Sequence, residues 1–219
     1  MPALDTQTKV AVVGAGAMGS GIAQVAAQAG HQVYLHDQRE GAAEAGRDGI
    51  AKQLQRRVDK GKMQQQELDA VIGRIHPVAN LDDVADAGLV IEAIIEDLQI
   101  KRQLLANLEN LCAGDAILAT NTSSISVTAL GAEMNKPERL VGMHFFNPAP
   151  LMALVEVVMG LATSQAVADT VHATATAWGK KPVYATSTPG FIVNRVARPF
   201  YAESLRLLQE QATDAATLD

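Results

Sequence analysis

Short apolar runs rich in Val, Ile, Leu and Ala recur along the chain, and segments of helical spacing separate them. Residues 9–13, KVAVV, form the first run. GAGAMGSGIAQVAAQAG follows as a small-residue helix ending at Gly30, and HQVYLHD reads as a second strand. Residues 41–75 show helical spacing without a strong strand, with a break around Lys60, Gly61 and Lys62, which predicts an antiparallel helix pair. AGLVIEAI then predicts a buried strand, DLQIKRQLLANLENL a helix and AILATN another strand. RLVGMHFFNP and LVEVV read as strands, SQAVADTVHATATAWG as a helix capped by Ser164, and KPVYAT as a late strand. From Phe191 onward IVNRVARPFYAESLRLLQEQ predicts one long helix kinked at Pro199.

The first strand, turn and helix carry Gly14, Gly16 and Gly19 in G-x-G-x-x-G spacing, and Asp37 follows eighteen residues after Gly19 at the end of the second strand. In this βαβ setting the motif predicts a dinucleotide site. Gly14 permits the turn, Gly16 admits a pyrophosphate against bare backbone, and Gly19 lets the helix approach the strand. A carboxylate at Asp37 accepts from both ribose hydroxyls and repels a 2′-phosphate, which favours NAD over NADP. Arg39 pulls the other way, since it can pair with a phosphate. The predicted class is therefore α/β: a Rossmann-type, mostly parallel sheet with an inserted helix pair.

Composition narrows the remaining possibilities. With 219 residues and 48% hydrophobic content the chain can bury one substantial core and still hold the start of a second unit. A net charge of −6 lacks the footprint of a nucleic-acid-binding protein. Cys112 is the sole cysteine, so an intrachain disulfide and a cysteine-rich metal cluster are both excluded and a reducing cytoplasm is expected. MPALDTQTK has no secretory apolar core, and no apolar run is long enough to span a bilayer, so no membrane role is expected.

His144 and Glu156 stand twelve positions apart in HFFNPAPLMALVEV. An imidazole can take a hydroxyl proton while a nicotinamide takes the hydride, and a carboxylate can fix the imidazole tautomer. An exposed strand face accounts equally for Glu156 among its valines, and core packing for Phe145 and Phe146. Glu92, Glu96 and Lys101 cluster at a strand-to-helix junction, where ligands bind in such sheets, although helix N-terminal charge preference also explains Glu96. Asn121, Thr122, Ser123 and Ser124 emerge at the same rim, either to bind a reacting oxygen or to cap the next helix. Lys52, Arg56, Arg57, Lys60 and Lys62 make either a solvated helix face or a grip for an anionic substrate.

GAGAMGSGIA, NTSS, HFFNPAPLMALVEV and TPGFIVNR, in that order, resemble the 3-hydroxyacyl-CoA dehydrogenase family across essentially the whole chain. The wording of NPAP and STPGFIVNRVARPFY is most similar to the members of that family that act on 3-hydroxyadipyl-CoA in bacterial phenylacetate degradation. The resemblance implies NAD-dependent oxidation of a 3-hydroxyacyl-CoA to a 3-oxoacyl-CoA. It implies His144 as general base, Glu156 as its orienting carboxylate, Ser123 on the substrate C3 oxygen, and Asn194 orienting His144 and substrate, with Asn147 in support. It places Glu96 and Lys101 with Asp37 along the NAD site and Lys60 toward the CoA nucleotide. One departure stands at Ala153, where the family often carries Lys.

The same resemblance implies a division into a NAD-binding domain, 1–189, with its helical insertion near 41–75, and the truncated start of an α-helical domain, 190–219, that completes the cleft and forms a homodimer. Two other readings remain at this stage. One is a non-catalytic NAD-binding fragment, and the other is an NADP-linked dehydrogenase of a free 3-hydroxy acid.

Overall fold

The computed structural model describes residues 1–218. Its strands are Val10–Val13 (β1), Val33–His36 (β2), Ile75–Val78 (β3), Leu89–Glu92 (β4), Ile117–Thr120 (β5), Leu140–Phe145 (β6), Leu154–Met159 (β7) and Lys181–Thr186 (β8). They form one sheet in the order β3-β2-β1-β4-β5-β6-β7-β8. Helices Ala17–Gln28 (α1), Ala42–Asp59 (α2), Gln65–Gly73 (α3), Leu98–Leu111 (α4), Val127–Gly131 (α5) and Gln165–Ala177 (α6) cover its faces, and Val193–Gln209 (α7) and Ala215–Leu218 (α8) follow the last strand.

Strand alternation builds two cores. Val10, Val12, Leu35, Ile91, Val141 and Val157 face α1, α2 and α6, whereas Ala11, Val13, Val90, Leu118 and Val158 face α4 and α5. Strands buried on both faces explain the continuous apolar runs in the sequence. The helix pair predicted for 41–75 is α2 and α3, joined through Gly61 at φ 66°. The pair leads directly into β3, which the hydrophobic pattern did not reveal. Pro77 and the exposed His76 disguise it, and proline is tolerated there because β3 is the edge strand.

All pairings are parallel except β6 with β7, where Met143 lies opposite Val157 and His144 opposite Glu156. Because β7 runs backward, the 146–153 connection returns over the edge where β6 ends. That connection is fastened: Lys180 donates its ammonium to the carbonyls of Ala149 at 2.6 Å and Met152 at 3.0 Å. On its other side Gly21 of α1 lies so close that an added methyl would stand 3.2 Å from both Ala149 and Pro150. Burial of the Lys180 ammonium lowers its pKa.

The chain leaves β1, fills β2 and β3 on one side, and then crosses to β4 on the other. The crevice at that reversal is where ligands bind in open α/β sheets. Gly14 and Ala93 meet there, with room for no side chain between them.

At Gly19 an added methyl would overlap the Gly14 carbonyl oxygen, so α1 can approach the turn only as glycine. Gly19→Ala is expected to lose about 1–3 kcal/mol of stability by overpacking, read from urea unfolding.

Candidate active site

The glycine-rich turn supplies a nucleotide cradle. Gly14 has φ 105° and donates its N–H to the His36 carbonyl at 2.7 Å. Gly16 has nothing within 4 Å of the position its side chain would occupy, and no side chain caps the start of α1. An unobstructed helix N-terminus beside bare backbone suits a pyrophosphate. Gly14, Gly16, Asp37, Ile94, Ile100 and Leu104 line a cleft of about 620 Å³. Its apolar wall suits an adenine and its carboxylate a ribose, so these residues fit NAD.

Asp37 is anchored to the cradle, because its Oδ2 accepts from the Ala15 N–H at 2.8 Å. The Arg39 guanidinium, with the Ala15 and Arg39 amides and against the opposing effect of burial, holds the Asp37 carboxyl at about 2. Asp37 therefore carries its full charge at neutral pH.

Below the crevice lies a buried charge cluster. Lys101 is 1% exposed and reaches Glu92 at 2.5 Å and Glu96 at 3.2 Å. Glu92, also buried, accepts from Thr120 Oγ1 at 2.6 Å and from Ile94 N at 2.8 Å. Glu96 Oε1 accepts from Thr122 Oγ1, Ser123 N and Ser124 Oγ at 2.5, 3.0 and 3.1 Å. Burial pushes the Glu96 carboxyl up, but Thr122, Lys101 and the Ser123 amide outweigh it and leave the pKa lowered. Helix α4 is capped by Asp97, which accepts from Gln99 N and Ile100 N, and Glu96 stands one residue before that cap. Its bonds make Glu96 the tie between α4 and the NTSS turn. Lys101 is the counter-ion beneath that tie.

His144 and Glu156 come into direct contact. Their facing positions on antiparallel strands bring His144 Nδ1 to 2.7 Å from Glu156 Oε2. The imidazole is 5% exposed and the carboxylate 0%, so an exposed strand face does not describe Glu156. The other carboxylate oxygen, Oε1, accepts from the N–H groups of Ile192 and Val193 at 2.9 Å each. One acid thereby binds the histidine and the start of α7. Phe146 tilts against the imidazole at 4.5 Å between ring centroids and Phe191 meets it edge-on at 5.7 Å. Phe145 turns to the opposite face, against Trp178.

Asn194, on the first turn of α7, donates to the Ser123 carbonyl at 3.2 Å. Its side-chain hydrogen bond is thus with the NTSS turn. Asn121 Oδ1 accepts from Phe145 N at 2.8 Å and so joins that turn to the end of β6. His144, Glu156, Asn194, Ser123, Glu96 and Lys101 consequently belong to one continuous set of contacts. Gly14, Gly16 and Asp37 line the adjoining cleft. Lys60 lies apart, exposed at the end of α2 together with Lys52, Arg56, Arg57 and Lys62. Asn147 and Ala153 are exposed on the 146–153 connection.

Three contributors escaped sequence reasoning. The amides of Ile192 and Val193 act through backbone, which no residue letter advertises. Phe191 reads as ordinary helix, yet it adopts φ 47° and packs on the imidazole. Thr120 reads as strand, and its role as a Glu92 partner shows only in the register Glu92↔Thr120.

The fold and site define a Rossmann-type dinucleotide-binding domain. Residues 9–188 match the family described as 3-hydroxyacyl-CoA dehydrogenase, NAD binding domain. The chain belongs to the 3-hydroxyacyl-CoA dehydrogenase family. It is 49% identical over 216 residues to 3-hydroxyadipyl-CoA dehydrogenase of Escherichia coli K12, covering 99% of this chain and 45% of that protein. It is 43% identical over 211 residues to a probable 3-hydroxybutyryl-CoA dehydrogenase of Deinococcus radiodurans, covering 96% and 76%. Among solved structures, a 3-hydroxybutyryl-CoA dehydrogenase from E. coli K12 superposes with a TM-score of 0.93 at 50% identity, covering 96% of this chain and 44% of that one. The chain thus spans about half the length of the E. coli relatives and about three quarters of the Deinococcus one.

Two outcomes follow from the buried charges and from Asp37. Lys101→Met strands Glu92 without its cation and is expected to lose about 3–5 kcal/mol in urea unfolding, while Glu92→Gln/Lys101→Met loses less. The depressed Asp37 pKa contributes stability that is complete above its ordinary value of 3.8 and is lost as pH falls toward about 2. The stability difference between wild type and Asp37→Asn should therefore be flat above about pH 4 and shrink below it, as urea titrations at stepped pH will show.

Proposed function

We propose that the protein of which this chain is part or whole oxidises a 3-hydroxyacyl-CoA to the 3-oxoacyl-CoA with NAD. The observation that carries this reading is the buried 2.7 Å contact between His144 Nδ1 and Glu156 Oε2 beside a dinucleotide cradle. Bound NAD supplies the acceptor for the hydride leaving C3. The protein handles the proton: Glu156 accepts the Nδ1 hydrogen and thereby directs the free lone pair to Nε2, which takes the proton of the C3 hydroxyl. The imidazolium that results is stabilised by the same carboxylate, and in reverse it returns the proton. Desolvation by Phe146 and Phe191 strengthens that electrostatic pairing.

Ser123 is assigned to the substrate C3 oxygen, Asn194 to holding the turn that presents it, and Lys60 to the CoA nucleotide. Glu96 and Lys101 support the NAD site from beneath. The 49% identical relative makes a 3-hydroxyadipyl-CoA substrate the preferred choice. Residues 190–218 are read as belonging to a helical unit distinct from 1–189, and Asp219 lies outside the described residues. Val196, Phe200, Tyr201 and Leu205 on α7 are all exposed, which supports burial of that face within such a unit and assembly as a homodimer. Among the described residues no helix is long and apolar enough to cross a membrane, and a cytoplasmic setting is proposed from the lone, buried Cys112.

The test follows reduced-nicotinamide absorbance with 3-hydroxyadipyl-CoA, 3-hydroxybutyryl-CoA and the matching free acids. Turnover of a CoA ester with NAD is expected, and binding of NAD without turnover in the full-length protein would count against the reading. His144→Gln should reduce turnover about 10²–10⁴-fold with NAD binding nearly intact. Glu156→Gln should lower the rate and alter its pH profile, whereas an unchanged profile would remove Glu156 from the mechanism.

A further inference from the structure

Asp37 stands where an adenosine ribose is read, yet its acceptor positions are already taken. Oδ1 accepts from Arg39 N and Arg39 Nε, each at 3.0 Å. Oδ2 accepts from Ala15 N at 2.8 Å and from Arg39 Nη2 at 3.2 Å. A carboxylate offers about four lone-pair sites, so these four donors saturate it. The two backbone amides are fixed by the turn. The two guanidinium bonds, one on each oxygen, occupy the places that the two hydroxyls of a ribose diol would fill.

The pair is asymmetric in a way that decides which partner yields. The Asp37 side chain is 8% exposed and wedged into the turn, whereas that of Arg39 is 69% exposed at the cleft wall. A diol arriving at Asp37 therefore displaces the guanidinium into solvent, at the cost of an exposed ion pair. The fork of a guanidinium also matches phosphate oxygens two at a time. While Asp37 is charged, its proximity repels a 2′-phosphate and occupies the fork that would bind one.

We propose that Arg39 determines cofactor choice together with Asp37: it competes with the ribose diol of NAD for the Asp37 carboxylate, and once that carboxylate is removed it becomes a ligand for the 2′-phosphate of NADP. This inference rests on the NAD reading above. The cofactor preference is then held by a single carboxylate, with the opposite preference already installed two residues away.

Calorimetric titration of NAD and NADP into wild type, Arg39→Ala, Asp37→Ser and Asp37→Ser/Arg39→Ala tests it. Arg39→Ala should tighten NAD by about two- to fivefold, the equivalent of an exposed ion pair no longer broken on binding. Asp37→Ser should weaken NAD and tighten NADP about tenfold or more, as expected for charge-assisted bonds to a phosphate, and the double variant should lose the NADP gain. Asp37→Asn, which keeps an acceptor for the Ala15 amide, repeats the NADP arm if Asp37→Ser folds poorly. An unchanged or weaker NAD affinity in Arg39→Ala overturns the competition. Equal NADP affinity in Asp37→Ser and the double variant overturns the phosphate role. A wild-type chain that binds neither cofactor overturns the NAD reading itself, a result distinct from either failure in the variants.

Discussion

A fully buried carboxylate must be surrounded by donors, and the ligand side of this protein is organised around meeting that requirement at Glu156. Its two oxygens receive one imidazole nitrogen and two backbone amides, drawn from β6 and from the start of α7. Leaving such a group unpaired would cost several kcal/mol, so these partners are held as firmly as any core contact. The reversed direction of β7 is what makes the arrangement possible. It sets His144 and Glu156 opposite each other on one face, and it carries the acid to the edge where β1, β4 and β5 also end.

A second buried carboxylate, Glu92, performs the matching task on the nucleotide side. Through Lys101 it fixes Glu96, and through Glu96 the backbone of the NTSS turn. Asn194 closes the circuit by donating to the other side of that turn. Ser123 is consequently gripped at both its N–H and its C=O. Its hydroxyl is positioned by backbone rather than by a neighbour of its own.

Much of this was legible from residue types. The glycine spacing predicted the turn, the bare pyrophosphate edge and the close helix approach, and the alternation of apolar runs predicted seven of the strands in place. Ser164 was recognisable as a cap and is one, accepting from Val167 N. What escaped was set by register and by backbone. Strand β3 hides behind Pro77, because edge strands need not show the apolar alternation of buried ones. The contact of His144 with Glu156 depends on a one-residue choice of pairing that a spacing of twelve does not determine. Asn194, which the resemblance implies orients His144 and substrate, sits on the first turn of α7 and donates to the Ser123 carbonyl, a partner that its place in FIVNR does not reveal. Phe191 adopts a left-handed backbone angle that its side chain type disfavours, and its ring is buried in the second core and against His144, which no residue letter announces.

The fastening of the 146–153 connection reaches beyond the loop itself. Lys180 ties it from one side, and the bare backbone of Gly21 receives Ala149 and Pro150 from the other. Helix α1, whose first turn opens on the nucleotide cradle, is therefore packed directly against the exit from His144. On the proposed reading, the fold itself packs the proton acceptor's strand exit against the cofactor helix, so part of the entropy of aligning them is met when the chain folds.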